Sequence, residues 1–110
     1  MADKAQFFKV NYRTAFENGS VIVPALSHLD AENTIKNSMC NVLDTEFLGW
    51  QSVSITLEND TSYYFEANFQ DYALYYNEET LGFQFLSYHF HQEIQGLKQL
   101  YRETTGNDPY

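Results

Sequence analysis

Residues 53–70 read VSITLENDTSYYFEANFQ, and the fold is decided there. Val53, Ile55 and Leu57 alternate with Ser52, Ser54 and Thr56, the period-2 pattern of a half-buried strand. Glu58-Asn59-Asp60-Thr61 carries the residues of a turn. Tyr63, Phe65, Ala67 and Phe69 then alternate with Tyr64, Glu66, Asn68 and Gln70, which predicts a hairpin with one apolar and one polar face. Residues 72–76 extend this pattern as a further short strand or extended piece.

A similar arrangement precedes it. Residues 6–16 predict a strand with Phe8, Val10 and Tyr12 on one side and Phe7, Lys9, Asn11 and Arg13 on the other. Glu17-Asn18-Gly19-Ser20 predicts the turn, because Asn-Gly is the strongest short hairpin signal. Residues 20–26 return as a second strand, and Pro24, which has no N–H to donate, confines it to an edge or ends it. Ser27-His28-Leu29-Asp30 reads as a capping box with Asp in the usual Glu position. Behind it Ala31, Ile35, Met39 and Val42 repeat at helical spacing, opposite Glu32, Asn33, Lys36 and Asn37, so a helix is expected over 28–42.

The last element is also helical in pattern. Phe83, Leu86, Phe90, Ile94, Leu97 and Tyr101 form one stripe, with Asn77 as its expected cap and Glu78 and Glu79 at the positive end of its dipole. Gly82 and Gly96 weaken it and move its expected start toward Phe83. Turn residues over 104–109 end it, leaving 104–110 as a flexible tail. The expected order is ββαββα, an α+β fold with an antiparallel sheet of about four strands and two helices on one face. The 110 residues match the common size of a single compact domain, so one acidic domain over 1–110 is expected.

Charge is unevenly distributed. Between Lys36 and Lys98 there is no lysine or arginine, while Asp44, Glu46, Glu58, Asp60, Glu66, Asp71, Glu78, Glu79 and Glu93 all fall within that stretch. Elsewhere acids and bases balance, so the net charge of −9 belongs to the middle and second half of the chain. A field of one sign attracts cationic surfaces and repels nucleic acid, so direct nucleic-acid binding is not expected. Apolar residues at 44% and aromatics at 17% separate the chain from disordered acidic tails. Cys40 is the only cysteine, no apolar run is long enough to span a membrane, and the N-terminal residues lack an apolar signal core. These features predict a soluble cytoplasmic protein with no membrane partner.

Few residues suggest catalysis. His89, His91 and Glu93 form the only compact cluster of potential metal ligands. On a helix His89 and His91 point about 200° apart, following the 100° step per residue, so no metal site is expected. Cys40 late in a helix and near Asp44 and Glu46 lacks the electropositive setting that activates a thiol. Carboxylate pairs such as Glu58 with Asp60, or Glu66 with Asp71, fall at turns and on an outward strand face rather than in a cleft. No catalytic residue, cofactor or enzymatic activity is expected.

The acidic stretch is also rich in tyrosine, a residue enriched at interface hot spots. Outward carboxylates two residues apart on a strand lie about 6.8 Å apart, from a rise of about 3.4 Å per residue. The expected function is therefore a small inhibitor that binds a basic, nucleic-acid-binding protein by imitating nucleic acid, in the manner of phage anti-defence proteins acting on a nuclease or nucleoprotein effector. Its expected contacts are Glu58, Asp60, Glu66, Asp71, Glu78 and Glu79, with Tyr64 and Tyr76 as anchors. An immunity-type protein neutralising one cognate toxin shares the same charge and size. A small ligand-binding or enzymatic domain, with Tyr88, His89 and Tyr101 lining a pocket, is a third reading, and self-association through a Tyr-rich strand edge is a fourth.

Overall fold

Five strands and three helices follow one another along residues 4–36, 41–70 and 72–106, the residues described by the computed structural model. They are β1 (Lys4–Arg13), β2 (Asn18–Pro24), α1 (His28–Lys36), β3 (Asn41–Leu57), β4 (Tyr63–Phe69), β5 (Tyr72–Tyr76), α2 (Phe83–His89) and α3 (His91–Thr105). The fold is α+β, and the strands pair antiparallel in the order β2-β1-β3-β4-β5. The sheet has five strands rather than about four, and there are three helices rather than two.

β3 explains much of the difference. It runs for 17 residues and carries two ladders, Asn41–Ser52 against β1 and Val53–Leu57 against β4. Only the second part shows clean alternation. In the first part Leu43 and Leu48 are skipped in the pairing register, so each shifts the side-chain period by one residue. Gly49, beside the second bulge, has φ +100°, a conformation costly for any residue with a Cβ. The residues before Ser52 therefore pair as a strand without reading as one.

The chain divides into two compact units, with the division between Ser52 and Val53. In the first, α1 covers the side of the β1–β2 hairpin that carries Phe8, Val10 and Val23. Ala25, Ala31 and Ile35 complete that buried cluster, with Tyr12, Val21 and Val42 packed around it. Ala5 and Phe7, on the opposite pleat of β1, are buried too, although Phe7 shares that side with polar neighbours. Ser27 caps α1 by accepting the Asp30 N–H at 3.1 Å, while the Asp30 carboxylate reaches back to the Leu26 N–H at 3.0 Å. This is the reciprocal logic of a capping box, offset by one residue. α1 stops at Lys36, so Val42 belongs to β3 and lies across from Tyr12. Asn37, Met39 and Cys40 of the expected helix lie outside the described residues.

The first hairpin turns three residues earlier than Asn-Gly predicts, over 14–17 rather than 17–20. Thr14 N–H donates to the Glu17 carbonyl at 2.8 Å, and Thr14 Oγ1 accepts the Phe16 and Glu17 N–H groups. Asn18 and Gly19 are already in the ladder opposite Arg13 and Tyr12. Gly19 serves close approach there, since a Cβ would come within 2.7 Å of the Tyr12 hydroxyl. Pro24 ends β2, which is an edge strand, as its missing N–H requires.

In the second unit α2 and α3 lie on the apolar face of β4. Phe65 is fully buried, with the rings of Tyr63, Phe83 and Phe90 at 5.5, 5.6 and 6.1 Å. The single helix expected from the stripe is broken at Phe90, whose ψ of +26° leaves the helical region. The hydrogen bonds continue through the break, from Phe90 N–H to the Leu86 carbonyl and from Ile94 N–H to the Phe90 carbonyl. Leu86, Phe90 and Ile94 thus remain buried while the axis changes. α3 runs to Thr105 and ends at Gly106 with φ +69°, so Thr104 and Thr105 are helical rather than part of a tail.

Candidate partner-binding site

The β4–β5 register decides which side chains face outward. Phe65 pairs with Tyr76 and Glu66 with Tyr75. Because strand side chains alternate faces, Tyr64, Glu66 and Tyr75 share the outer side, and Tyr76 turns inward. Tyr76 is only 2% exposed and belongs to the core. Its expected role as a surface anchor is corrected on that ground. Burial, and to a lesser degree the neighbouring Tyr72, pushes its hydroxyl pKa above the ordinary tyrosine value. The outward tyrosine is Tyr75, which is 56% exposed and packs against Tyr64 with ring centroids 5.9 Å apart.

Beyond these rings the surface sinks into an open depression of about 640 Å³, lined by Glu58, Ser62, Tyr63, Tyr64, Tyr75, Asn77, Glu78 and Glu79. Two self-bonded turns form its ends. At one, Asn59 Oδ1 accepts the N–H groups of Thr61 and Ser62, both at 2.8 Å, and Glu58 N–H donates to the Ser62 carbonyl at 2.9 Å. At the other, Asn77 Oδ1 accepts the Glu79 N–H at 2.9 Å, and Thr80 N–H donates to the Asn77 carbonyl at 2.9 Å. Asn77 therefore shapes a turn rather than capping a helix, and Gly82 stands at the start of α2. Glu58, Glu78 and Glu79 are all exposed.

Tyr63 anchors the inner wall. Its ring stacks on Phe83 at 5.5 Å, its hydroxyl shares a hydrogen bond with Ser87 Oγ at 3.0 Å, and Lys98 Nζ lies 5.2 Å from its ring centre. One helical turn further along α3, Arg102 Nε donates to Asp60 Oδ2 at 2.8 Å. From Val53 onward the chain carries nine carboxylates and only two cations, Lys98 and Arg102. Both cations are engaged in these contacts. Among the described residues no cation pairs with the carboxylates of Glu58, Glu78 or Glu79.

Of the residues expected to bind a partner, Glu58, Tyr64, Glu78 and Glu79 meet at one depression. Glu66 stands beside it on the outer face, across from Tyr75. Asp60 is turned to Arg102. Asp71 lies outside the described residues. Ser62, Tyr63, Tyr75 and Asn77 were missed as site residues by sequence reasoning. The signal for Tyr75 was its separation by nine positions from Glu66 across a tight turn, which pairs the two once the register is known.

Elsewhere, Tyr88, His89, His91, Gln92 and Glu93 line a second open depression of about 570 Å³, and Tyr101 is not among its lining residues. His89 lies flat on Phe85 at 5.4 Å and edge-on to Phe90 at 4.9 Å. Among the described residues no group of three or more His, Cys, Asp or Glu is placed to hold a metal ion, and no helix is long and apolar enough to cross a membrane. No family model, curated protein or solved structure matches the chain.

Proposed function

We propose that the protein is a small acidic binding protein whose second unit captures a basic surface of another protein. The reading extends to a stoichiometric inhibitor that occupies the nucleic-acid groove of a nuclease or nucleoprotein effector, as phage anti-defence proteins do. The observation that carries it is the meeting of Glu58, Glu78 and Glu79 with Tyr64 and Tyr75 around one open depression, in a unit with nine carboxylates and two occupied cations. Unpaired carboxylates speed encounter with a cationic surface, and the half-buried Tyr64 and exposed Tyr75 slow release by burying large rigid area.

The test is capture of partners from host lysate on the immobilised protein, at low and at moderate salt, beside the Glu58→Gln/Glu78→Gln/Glu79→Gln variant. The expected result is one basic nucleic-acid-binding protein or complex, released by salt or competing DNA and absent with the variant. Partners held equally by the variant move the site away from the depression. A single partner retained at high salt favours the immunity-type reading, since a drier interface is less screened.

A further inference from the structure

We infer that the depression between Tyr64, Tyr75 and the 77–79 turn receives one arginine side chain from a basic protein segment lying on the outer face of β4 and β5. This rests on the reading above that the second unit binds a basic protein, and it names what the unit recognises.

Three observations support a point contact over a broad imitation of a phosphate backbone. First, the carboxylates converge and do not run in a row. After Glu66 the outer side of β4 continues only with Asn68, so the strand offers a single charge. Glu58, Glu78 and Glu79 instead come from two turns and line the same depression. Second, aromatic surface stands beside the charge. The Tyr64 and Tyr75 rings meet at 59°, and Tyr75 keeps more than half of its surface open, so a planar cation can lie against it. Third, charge complementarity limits the occupant. Lys98 lies against the Tyr63 ring and Arg102 pairs with Asp60, and among the described residues neither forms an ion pair with Glu58, Glu78 or Glu79. A second copy of this chain would bring the same negative field and is repelled.

Arginine fits this chemistry better than lysine. Its guanidinium is flat, stacks on aromatic rings and donates in a fork that matches carboxylates, while an ammonium is a compact and strongly hydrated point charge. A volume of about 640 Å³ lies within the range of small-molecule sites and holds one such side chain with its peptide neighbours.

The experiment uses two short peptides, identical except that one carries four arginines and the other four lysines. Each is titrated into the full chain at low and physiological salt, followed by backbone amide NMR and calorimetry. The expected result is several-fold tighter binding of the arginine peptide, with the largest shifts at residues 62–64 and 75–79. Tyr75→Leu should weaken the arginine peptide more than the lysine peptide, and so remove most of the arginine preference. The Glu78→Gln/Glu79→Gln variant, on an exposed turn, should weaken both peptides. Equal affinity for the two peptides, or a preference that survives both Tyr75→Leu and Tyr64→Leu, overturns the arginine site while leaving the basic-partner reading standing. Absence of binding by both peptides at low salt overturns the arginine site and the basic-partner reading together.

Discussion

Tyr75 lies directly across from Glu66 in the β4–β5 ladder, and its ring leans on Tyr64 with centroids 5.9 Å apart. The neighbouring pair, Phe65 with Tyr76, points the opposite way into the core. A shift of one residue in that register would exchange the aromatic surface offered to a partner for the one holding the helices.

Charge at the depression should control how fast a partner arrives. Glu58→Gln/Glu78→Gln/Glu79→Gln should fold normally, since all three side chains are exposed. Its association rate with an oligo-arginine peptide at low salt should fall about tenfold or more, the low end of electrostatic steering. Its rate should also depend less on ionic strength. Stopped-flow mixing over a salt series measures both.

Phe65→Ala should be among the most damaging single changes in the second unit. The ring is fully buried and touches Tyr63, Phe83 and Phe90. Truncation leaves a cavity under α2 and α3 and should cost about 3–5 kcal/mol. Urea unfolding followed by far-ultraviolet circular dichroism reads this as a lower midpoint.

The Arg102–Asp60 pair should contribute little despite its 2.8 Å separation. Its side chains are 56% and 31% exposed, and solvent screens a pair of that kind. A double-mutant cycle with Arg102→Gln and Asp60→Asn should give a coupling of about 1 kcal/mol or less, smaller still in high salt.

Tyr76 makes a prediction at alkaline pH. Burial raises its hydroxyl pKa in the folded chain above the ordinary value of about 10 that it has when unfolded. Above pH 10 the unfolded chain loses this proton and the folded chain keeps it, so the unfolded state gains. The stabilisation is complete below the unfolded pKa and declines as pH rises toward the folded one. Tyr76→Phe should remove a slope that starts near pH 10 and grows toward about 1.4 kcal/mol per pH unit by about pH 11. Urea titrations of both proteins from pH 8 to 11 measure the difference.

Two glycines should respond to alanine with opposite signs. Gly49 holds φ +100°, so Gly49→Ala should destabilise by about 1–2 kcal/mol even though open space surrounds it. Gly96 lies within α3, exposed and unobstructed, so Gly96→Ala should stabilise by about 0.5–1 kcal/mol. Thermal unfolding of the two variants beside the parent gives both signs.

The sequence revealed the structure where periodicity was undisturbed. The 53–69 hairpin and its faces follow directly from alternation, and Ser27 marks the start of α1. It misled where a local feature broke the period. Two bulges hid Asn41–Ser52, and Thr14 outcompeted Asn-Gly for the first turn. Phe90 broke the last helix without interrupting its stripe, a change that composition cannot signal. At the candidate site, Glu58, Tyr64, Glu78 and Glu79 were legible because charge and aromatic content are written along the chain. The choice of Tyr75 over Tyr76 was not, since it depends on how β5 registers against β4.

Trp50 stands 58% exposed on β3, just before the point where the two units divide, and it is the only tryptophan. Tyr12 is the one tyrosine before that point, and the other eight follow it. The two halves therefore carry different chromophores. Excitation at the red edge of the near-ultraviolet band selects Trp50 alone, and its emission follows the first half. Second-derivative absorbance of the tyrosine band, to which eight of the nine tyrosines contribute from the second half, follows the second. Coincident melting curves from the two signals would describe one cooperative transition, and separate curves would describe two, with no label added to the protein.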